Sequence, residues 1–168
     1  RMESVTYDQP KCLVKLKGKS LLDWQFEAIR NAGIKEIGIV TGYKREKIID
    51  REFTEFFNSN WLNTNMVSSL ICANDWLQRE PCIVSYSDIF YESLVIKLLM
   101  DCLDDFVISY DPNWLDLWKK RFSNPLVDAE TFRVNQESYL IEIGNKPKSL
   151  EEVQGQYMGI LKFTPQGW

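Results

Sequence analysis

The stretch that most constrains this chain runs from Pro10 to Gly42, where a lysine turn, a capped helix and an apolar strand are predicted to follow one another. Pro10 locks its own φ and pushes the residue before it toward an extended backbone, so the approach of the chain to Lys11 is restricted. Leu13 and Leu16 then form a short alternating apolar run that ends at a turn on Gly18. Ser20 is a natural N-cap, and Asp23 three residues on makes a weaker form of the capping box. Leu22, Phe26 and Ile29 recur at helical spacing and Gly33 ends the pattern, which predicts a helix over residues 20–32. Ile37-Gly38-Ile39-Val40-Thr41-Gly42 is apolar, rich in β-branched residues and closed by glycine, as a buried parallel strand would be.

The remainder repeats that alternation. Residues 44–57 read as a short helix leading into an extended segment, and Asn58-Ser59-Asn60-Trp61 as a turn. Asn65 is a natural N-cap for a helix over 65–76, with Val67, Leu70, Ile71 and Leu77 at helical spacing. Strands are expected at 82–85 and 106–110, with a helix over 94–100 between them. Trp114 and Trp118 stand four apart on the next helix and share a face. Residues 131–135 and 138–143 alternate around Asn135-Gln136-Glu137 as a β-hairpin would. The predicted class is α/β: a Rossmann-like, mostly parallel sheet containing 37–41, 82–85 and 106–110, flanked by helices 20–32 and 65–76, with a small hairpin region.

Composition narrows the function classes. At 168 residues and 45% hydrophobic, the chain can bury one ordinary core, so a single domain over 1–168 is expected. No apolar run approaches the ~18 residues that a membrane helix needs, so no membrane partner is expected; no signal peptide is visible either, and the cytoplasmic expectation rests on the cysteines. A net charge of −4 argues against a nucleic-acid partner, whose binding relies on Lys and Arg neutralising phosphates. The four cysteines form no Cys-x-x-Cys pair and sit in apolar runs, so they read as buried, reduced thiols. There is no histidine, which removes Ser-His-Asp and Cys-His catalysis and argues against a zinc site.

Several short signatures, in order, carry a resemblance. Arg1-Met2, Pro10-Lys11-x-Leu13, Gly18-Lys19-Ser20-Leu21-Leu22, Ala32-Gly33-Ile34 and Val40-Thr41-Gly42-Tyr43 together resemble the nucleotidyltransferases that activate sugar phosphates and phosphocholine. The resemblance implies a nucleotidyltransferase or glycosyltransferase-A-like fold. It also implies a first strand and a glycine-rich triphosphate loop ahead of Arg1 and a further segment after Trp168, both absent from this sequence. Thr64-Asn65-x-x-x-Ser69-Leu70 resembles the signature of the phosphocholine-type cytidylyltransferases, where the Asn and Ser face nucleotide and acceptor; otherwise Asn65 is only a helix cap. Ser87-Asp88-Ile89 stands where the family has Gly-Asp-Ile or Gly-Asp-Val, with Ser87 in place of the glycine. Ligands sit at the carboxyl ends of strands in such sheets, and a carboxylate there suits Mg²⁺. The alternative is that Asp88 caps the following helix. Gln154-Gly155-Gln156-Tyr157-Met158-Gly159-Ile160 resembles the family's Gly-Glu-Tyr-x-Gly-Ile strand, with Gln156 replacing the Glu.

The reaction so implied is attack of a phosphate oxygen on the α-phosphorus of CTP, with release of pyrophosphate. A phosphate monoester is largely dianionic near neutrality, since its second pKa is about 6, so no general base is required. Lys11 and Arg1 are then the catalytic candidates and also bind the nucleotide, together with Asn65, Ser69 and Asp88. Asp88 is the metal ligand, with Mg²⁺ as cofactor. Trp114, Trp118, Lys146 and Tyr157 are the acceptor candidates. The tryptophans either hold a quaternary ammonium by cation–π attraction, roughly 0.5–2 kcal/mol each, or pack the core. Lys146 either meets the acceptor phosphate or is a surface lysine. The first expectation is a cytidylyltransferase for phosphocholine serving cell-surface polysaccharide or lipid decoration, with homo-oligomers allowed. The alternatives are a sister enzyme for a sugar phosphate, an amino-acid phosphate such as phosphoglutamine, or a phosphonate, and a catalytically silent nucleotide-binding domain.

Overall fold

The computed structural model describes residues 5–48 and 51–168. They cluster into two compact bodies, one reaching Val107 and rejoined by Leu161–Trp168, the other Ile108–Ile160.

In the first body, Pro10 (φ −58°, ψ 148°) delivers the chain into a single 3-10 turn, Lys11–Leu13. A hairpin of β1 (Lys15–Leu16) and β2 (Lys19–Ser20) follows, pairing Lys15 with Ser20 and Leu16 with Lys19. Lys17 and Gly18 both take positive φ, 52° and 84°, as a two-residue primed turn requires. Ser20 then caps α1 (Leu21–Asn31), its hydroxyl accepting from the Asp23 amide at 3.1 Å. Gly33 closes the helix at φ 95°, with Gly33 N–H on Arg30 O and Ile34 N–H on Ile29 O, the paired bonds of a Schellman end. Leu21, Leu22, Gln25 and Ala28 form the buried face of α1, and α1 packs against α4 (Ser93–Asp101), which buries Ile96 and Leu99.

β3 (Gly38–Thr41) pairs in parallel with β4 (Thr54–Phe57), Gly38 opposite Thr54 through Thr41 opposite Phe57. A single 3-10 turn, Arg45–Lys47, precedes β4, in the place read as a short helix. The expected helix over 65–76 is instead three pieces: α2 (Met66–Leu70), a 3-10 turn Ile71–Ala73, and α3 (Asn74–Leu77). Val67 and Ile71, two members of the helical repeat, are 63% and 54% exposed, while Ala73 and Leu77 are buried. A continuous helix would need one apolar face over its whole length, and here burial begins only after the backbone tightens.

β5 (Cys82–Ser85) and β6 (Phe106–Asp111) lie where expected, but among the described residues they share no sheet with β3. They belong to a ladder of order β5-β9-β6, in which β9 (Gln156–Phe163) takes the middle place. That corrects the single sheet read from local patterns: the strand that separates β5 from β6 comes some fifty residues later, and pairing at that range leaves no periodicity to read. The α/β class itself stands. The four cysteines are free, but only Cys12 is buried: Cys82 and Cys102 are half-buried and Cys72 is exposed, contrary to the expectation of burial for all four. Among the described residues no helix is long and apolar enough to cross a membrane.

The second body holds α5 (Trp114–Arg121) and an antiparallel hairpin, β7 (Phe132–Val134) with β8 (Leu140–Ile143), its register shifting between Arg133 and Val134. Asn135 shapes the hairpin loop, its side-chain oxygen accepting from the amides of Glu137 and Tyr139. The core is Trp114, Ala129 and Val153, with Leu115, Trp118 and Leu126 packed on it. Phe132, 1% exposed, stacks on Tyr110 with ring centres 4.8 Å apart.

Candidate functional site

Lys11 and Asp88, 77 residues apart, meet in the first body: Lys11 Nζ donates to Asp88 Oδ2 at 3.1 Å. Each comes from a turn, Lys11 from the one after Pro10 and Asp88 from the one after β5. Lys11 is exposed at 57% and Asp88 is half-buried at 30%, so both can be reached by a ligand that replaces the partner. Asp88 does not cap α4, whose N-cap is Glu92. Ser87, the departure from the family's glycine, is not among the described residues with positive φ, so its Cβ meets no backbone conflict.

The turn that carries Asp88 is tied to α1 by a residue that sequence reasoning passed over. Gln25 is 5% exposed, and its Nε2 donates to Tyr86 O and to Ile89 O, both at 2.8 Å. Its signal in the sequence is a polar residue on the buried side of an amphipathic helix, between Leu22 and Ala28. Cys12 beside Lys11 is buried, and burial pushes its thiol up to about 11, so it stays a neutral thiol near pH 7. Among the described residues there is no group of three or more His, Cys, Asp or Glu that could hold a metal. A metal reading therefore rests on Asp88. One carboxylate fits Mg²⁺, which keeps several waters and takes other oxygens from substrate phosphates.

A second polar cluster stands after the parallel pair. Asn58 follows β4, donates its amide to Thr41 O, and is 6% exposed. Its side chain donates to Thr64 Oγ1 at 2.8 Å and to Ser69 Oγ at 3.0 Å. Ser69 is thus held by Asn58, a buried asparagine that the turn reading of 58–61 left without a role. Asn65 is the N-cap of α2, its Oδ1 accepting from Ser68 N at 2.9 Å and from Ser68 Oγ at 3.1 Å. Arg1 lies outside the described residues.

The acceptor candidates lie in the second body. Trp114 is 3% exposed in the core and its Nε1 donates to Val153 O at 3.1 Å, which corrects its assignment to the acceptor: its ring is covered and its one donor is used. Trp118 meets Trp114 edge to face at 5.8 Å, and the Arg121 guanidinium stands 5.2 Å from its ring centre. The cation over this ring is the chain's own. Lys146 Nζ donates to the carbonyls of Leu126 and Val127 at 2.5 and 2.6 Å, where it completes the end of the Pro125–Val127 turn. It also lines a cavity of about 330 Å³ walled by residues 127–130 and 144–146. Tyr157 lies on β9, half-buried. Gln156, the departure from the family's Glu, is 7% exposed and clasps the backbone of Glu130: Nε2 donates to Glu130 O at 2.8 Å and Oε1 accepts from Glu130 N at 3.4 Å. A glutamate could make the second bond but not the first.

Residues 1–130 match the model of the MobA-like NTP transferase domain. A CTP:phosphoglutamine cytidylyltransferase of Campylobacter jejuni is 38% identical over 176 aligned positions, which take in 99% of this chain and 69% of that protein. A 2-aminoethylphosphonate cytidylyltransferase of Lancefieldella rimae is 26% identical over 53% of this chain and 38% of its own length. Among solved structures, the inositol-1-phosphate CTP transferase from T. maritima superposes with a TM-score of 0.75 at 16% identity, covering 99% of this chain and 66% of that one. HddC from Yersinia pseudotuberculosis gives 0.69 at 17% identity, covering 99% and 72%. These two likenesses establish the fold. The chain spans about two thirds of the phosphoglutamine relative and of the T. maritima structure.

Proposed function

Because this chain belongs to the family of MobA-like NTP transferase domains, and so to the nucleotidyltransferases, we propose that it moves CMP from CTP to a small phosphorylated acceptor, an amino-acid phosphate such as phosphoglutamine, with release of pyrophosphate. The observation that carries the reading is the exposed Lys11–Asp88 pair, 3.1 Å apart on two turns of the α/β body. The Campylobacter relative supports CTP and the amino-acid phosphate. The choice against phosphocholine also draws on the second body, where Trp114 is sealed in the core and Trp118 already faces Arg121.

The acceptor phosphate is its own nucleophile, being mostly dianionic above its second pKa of about 6. The protein therefore has to align the reactants and offset charge on the α-phosphate as it builds. Lys11 does this by leaving Asp88 for a triphosphate oxygen, a move that its exposure permits. Asp88 is the residue that would hold a divalent cation, which would supply charge neutralisation to the triphosphate. Arg1 joins Lys11 on the triphosphate, and Asn65 and Ser69 line the nucleotide side of the site. Tyr157 and Lys146 remain the acceptor-side candidates, Lys146 by releasing the Leu126 and Val127 carbonyls.

The test is pyrophosphate release by the full-length protein with each common NTP against phosphoglutamine, phosphocholine, 2-aminoethylphosphonate and a sugar 1-phosphate, with Mg²⁺ present and then removed by chelator. CTP with phosphoglutamine should turn over fastest, and chelation should stop it. Preference for phosphocholine or the phosphonate would replace the acceptor and keep the reaction. Absence of nucleotide transfer across the whole panel would leave a nucleotide-binding domain without chemistry.

A further inference from the structure

We infer that Gln25 is a positioning residue, which holds the turn bearing Asp88 in register with the turn bearing Lys11. A side-chain amide has two N–H donors on one nitrogen. Gln25 places one on Tyr86 O and the other on Ile89 O, the two carbonyls that bracket Ser87 and Asp88. Just past them, Phe90 meets Trp24, the neighbour of Gln25 on α1, edge to face at 5.5 Å, and Tyr91 is 5% exposed. The same helix holds the other turn: Leu21 N–H donates to Val14 O at 2.9 Å, next to the Lys11–Leu13 turn with its buried Cys12. Two turns remote in sequence are thereby referenced to one rigid element.

A buried amide among Leu21, Leu22 and Ala28 is costly unless its hydrogen bonds are made. An apolar residue would serve the helix packing equally well. What only the amide provides is a fixed path for the backbone at residues 86–89, and with it the place of the Asp88 carboxylate. The inference rests on the reading of Asp88 as a group that serves the nucleotide.

The test compares Gln25→Met, which keeps the volume and loses both donors, with Asp88→Asn. Amide hydrogen exchange is read on the substrate-free protein, and turnover is titrated with divalent cation using CTP and the best acceptor of the panel. In Gln25→Met, exchange should quicken at residues 86–90 and stay unchanged in the rest of α1. The cation concentration for half-maximal rate should rise by about 10–100-fold, the usual effect of removing a group that orients a metal-binding side chain. Asp88→Asn should be nearly inactive. If Asp88→Asn works as well as the parent, the nucleotide reading fails. If Asp88→Asn is inactive while Gln25→Met keeps the parent's cation dependence, the reading stands and the role of Gln25 is overturned. It is likewise overturned if exchange quickens over the whole body and the cation requirement does not move, because Gln25 would then serve stability only.

Discussion

The Lys11–Asp88 pair of the first body and the acceptor candidates of the second use their polar groups in opposite ways. In the first, Lys11 and Asp88 answer each other across the surface, side chain to side chain. In the second, the polar atoms singled out from the sequence are turned onto backbone: Trp114 on Val153 O, Lys146 on Leu126 O and Val127 O, Gln156 on Glu130. A side chain that satisfies its own backbone is part of what keeps that body folded, and removing it strands a carbonyl. An exposed ion pair contributes little to folding, typically about 0–1 kcal/mol, and can trade its partner for a phosphate. The difference says which residues should fail as folding variants and which as catalytic ones.

The largest expected effect is in the second body. Trp114→Ala should lower unfolding free energy by about 3–5 kcal/mol, as loss of a buried aromatic does, read from urea denaturation followed by fluorescence. Activity should fall for every acceptor alike and in step with the folded fraction. A variant that keeps its stability but changes acceptor preference would break the comparison and return Trp114 to the acceptor. Next is Lys11→Ala in the first body. Its turnover should drop by ~10²-fold or more, the range for losing one transition-state stabiliser, with the denaturation midpoint nearly unmoved. Parent-like activity would remove Lys11 from the mechanism.

The two bodies were also unequally legible in the sequence. Ser20, Gly33 and the strand at β5 were read almost to the residue, because a cap, a Schellman end and a short apolar run are local devices. Lys11 and Asp88 were found through motif likeness, and their meeting across 77 residues follows from the fold rather than from spacing. Gln25 was missed because a single glutamine on the apolar side of a helix does not say what it bonds until its partners at 86 and 89 are known. Asn58 was hidden in the same way inside a turn-like run. In the second body the spacing of Trp114 and Trp118 was right for a shared helix face, but spacing does not say whether that face meets a ligand or a core.

A smaller effect would sharpen the contrast at Gln156. Gln156→Glu restores the family's residue but removes the donor to Glu130 O, a bond of 2.8 Å in a buried place. Stability should fall by roughly 1–3 kcal/mol, the cost of a stranded buried acceptor, measured as a shift of the urea midpoint at neutral pH. The nucleotide preference should not change, since the loss is confined to a clasp between two stretches of backbone. A switch of nucleotide or acceptor with stability intact would mean that the position acts on substrate.

The smallest effect is electrostatic and belongs to the exposed first body. Asp8 accepts from Lys44 Nζ at 2.7 Å and from Lys47 Nζ at 2.8 Å. The hydrogen bond from Lys44 first, then that from Lys47, and then their charges lower its carboxyl from the ordinary 3.8 to about 2. The folded state therefore holds on to its charge at pH values where the unfolded chain has begun to take up a proton. Whatever this pair of contacts adds to stability is fully present above pH 3.8 and is lost as the pH falls through about 2. The stability difference between the parent and Asp8→Asn should accordingly be flat down to that upper bound and shrink below it. It should shrink at every pH when salt is raised, because the groups are open to solvent. Carboxyl-carbon NMR gives the direct reading: a midpoint near 2 in the parent, moving up toward 3.8 in Lys44→Ala and further when Lys47 is also removed. A midpoint of 3.8 in the parent would mean that neither lysine engages Asp8 in solution, and that even this side-chain-to-side-chain contact of the first body is too loose to hold a charge.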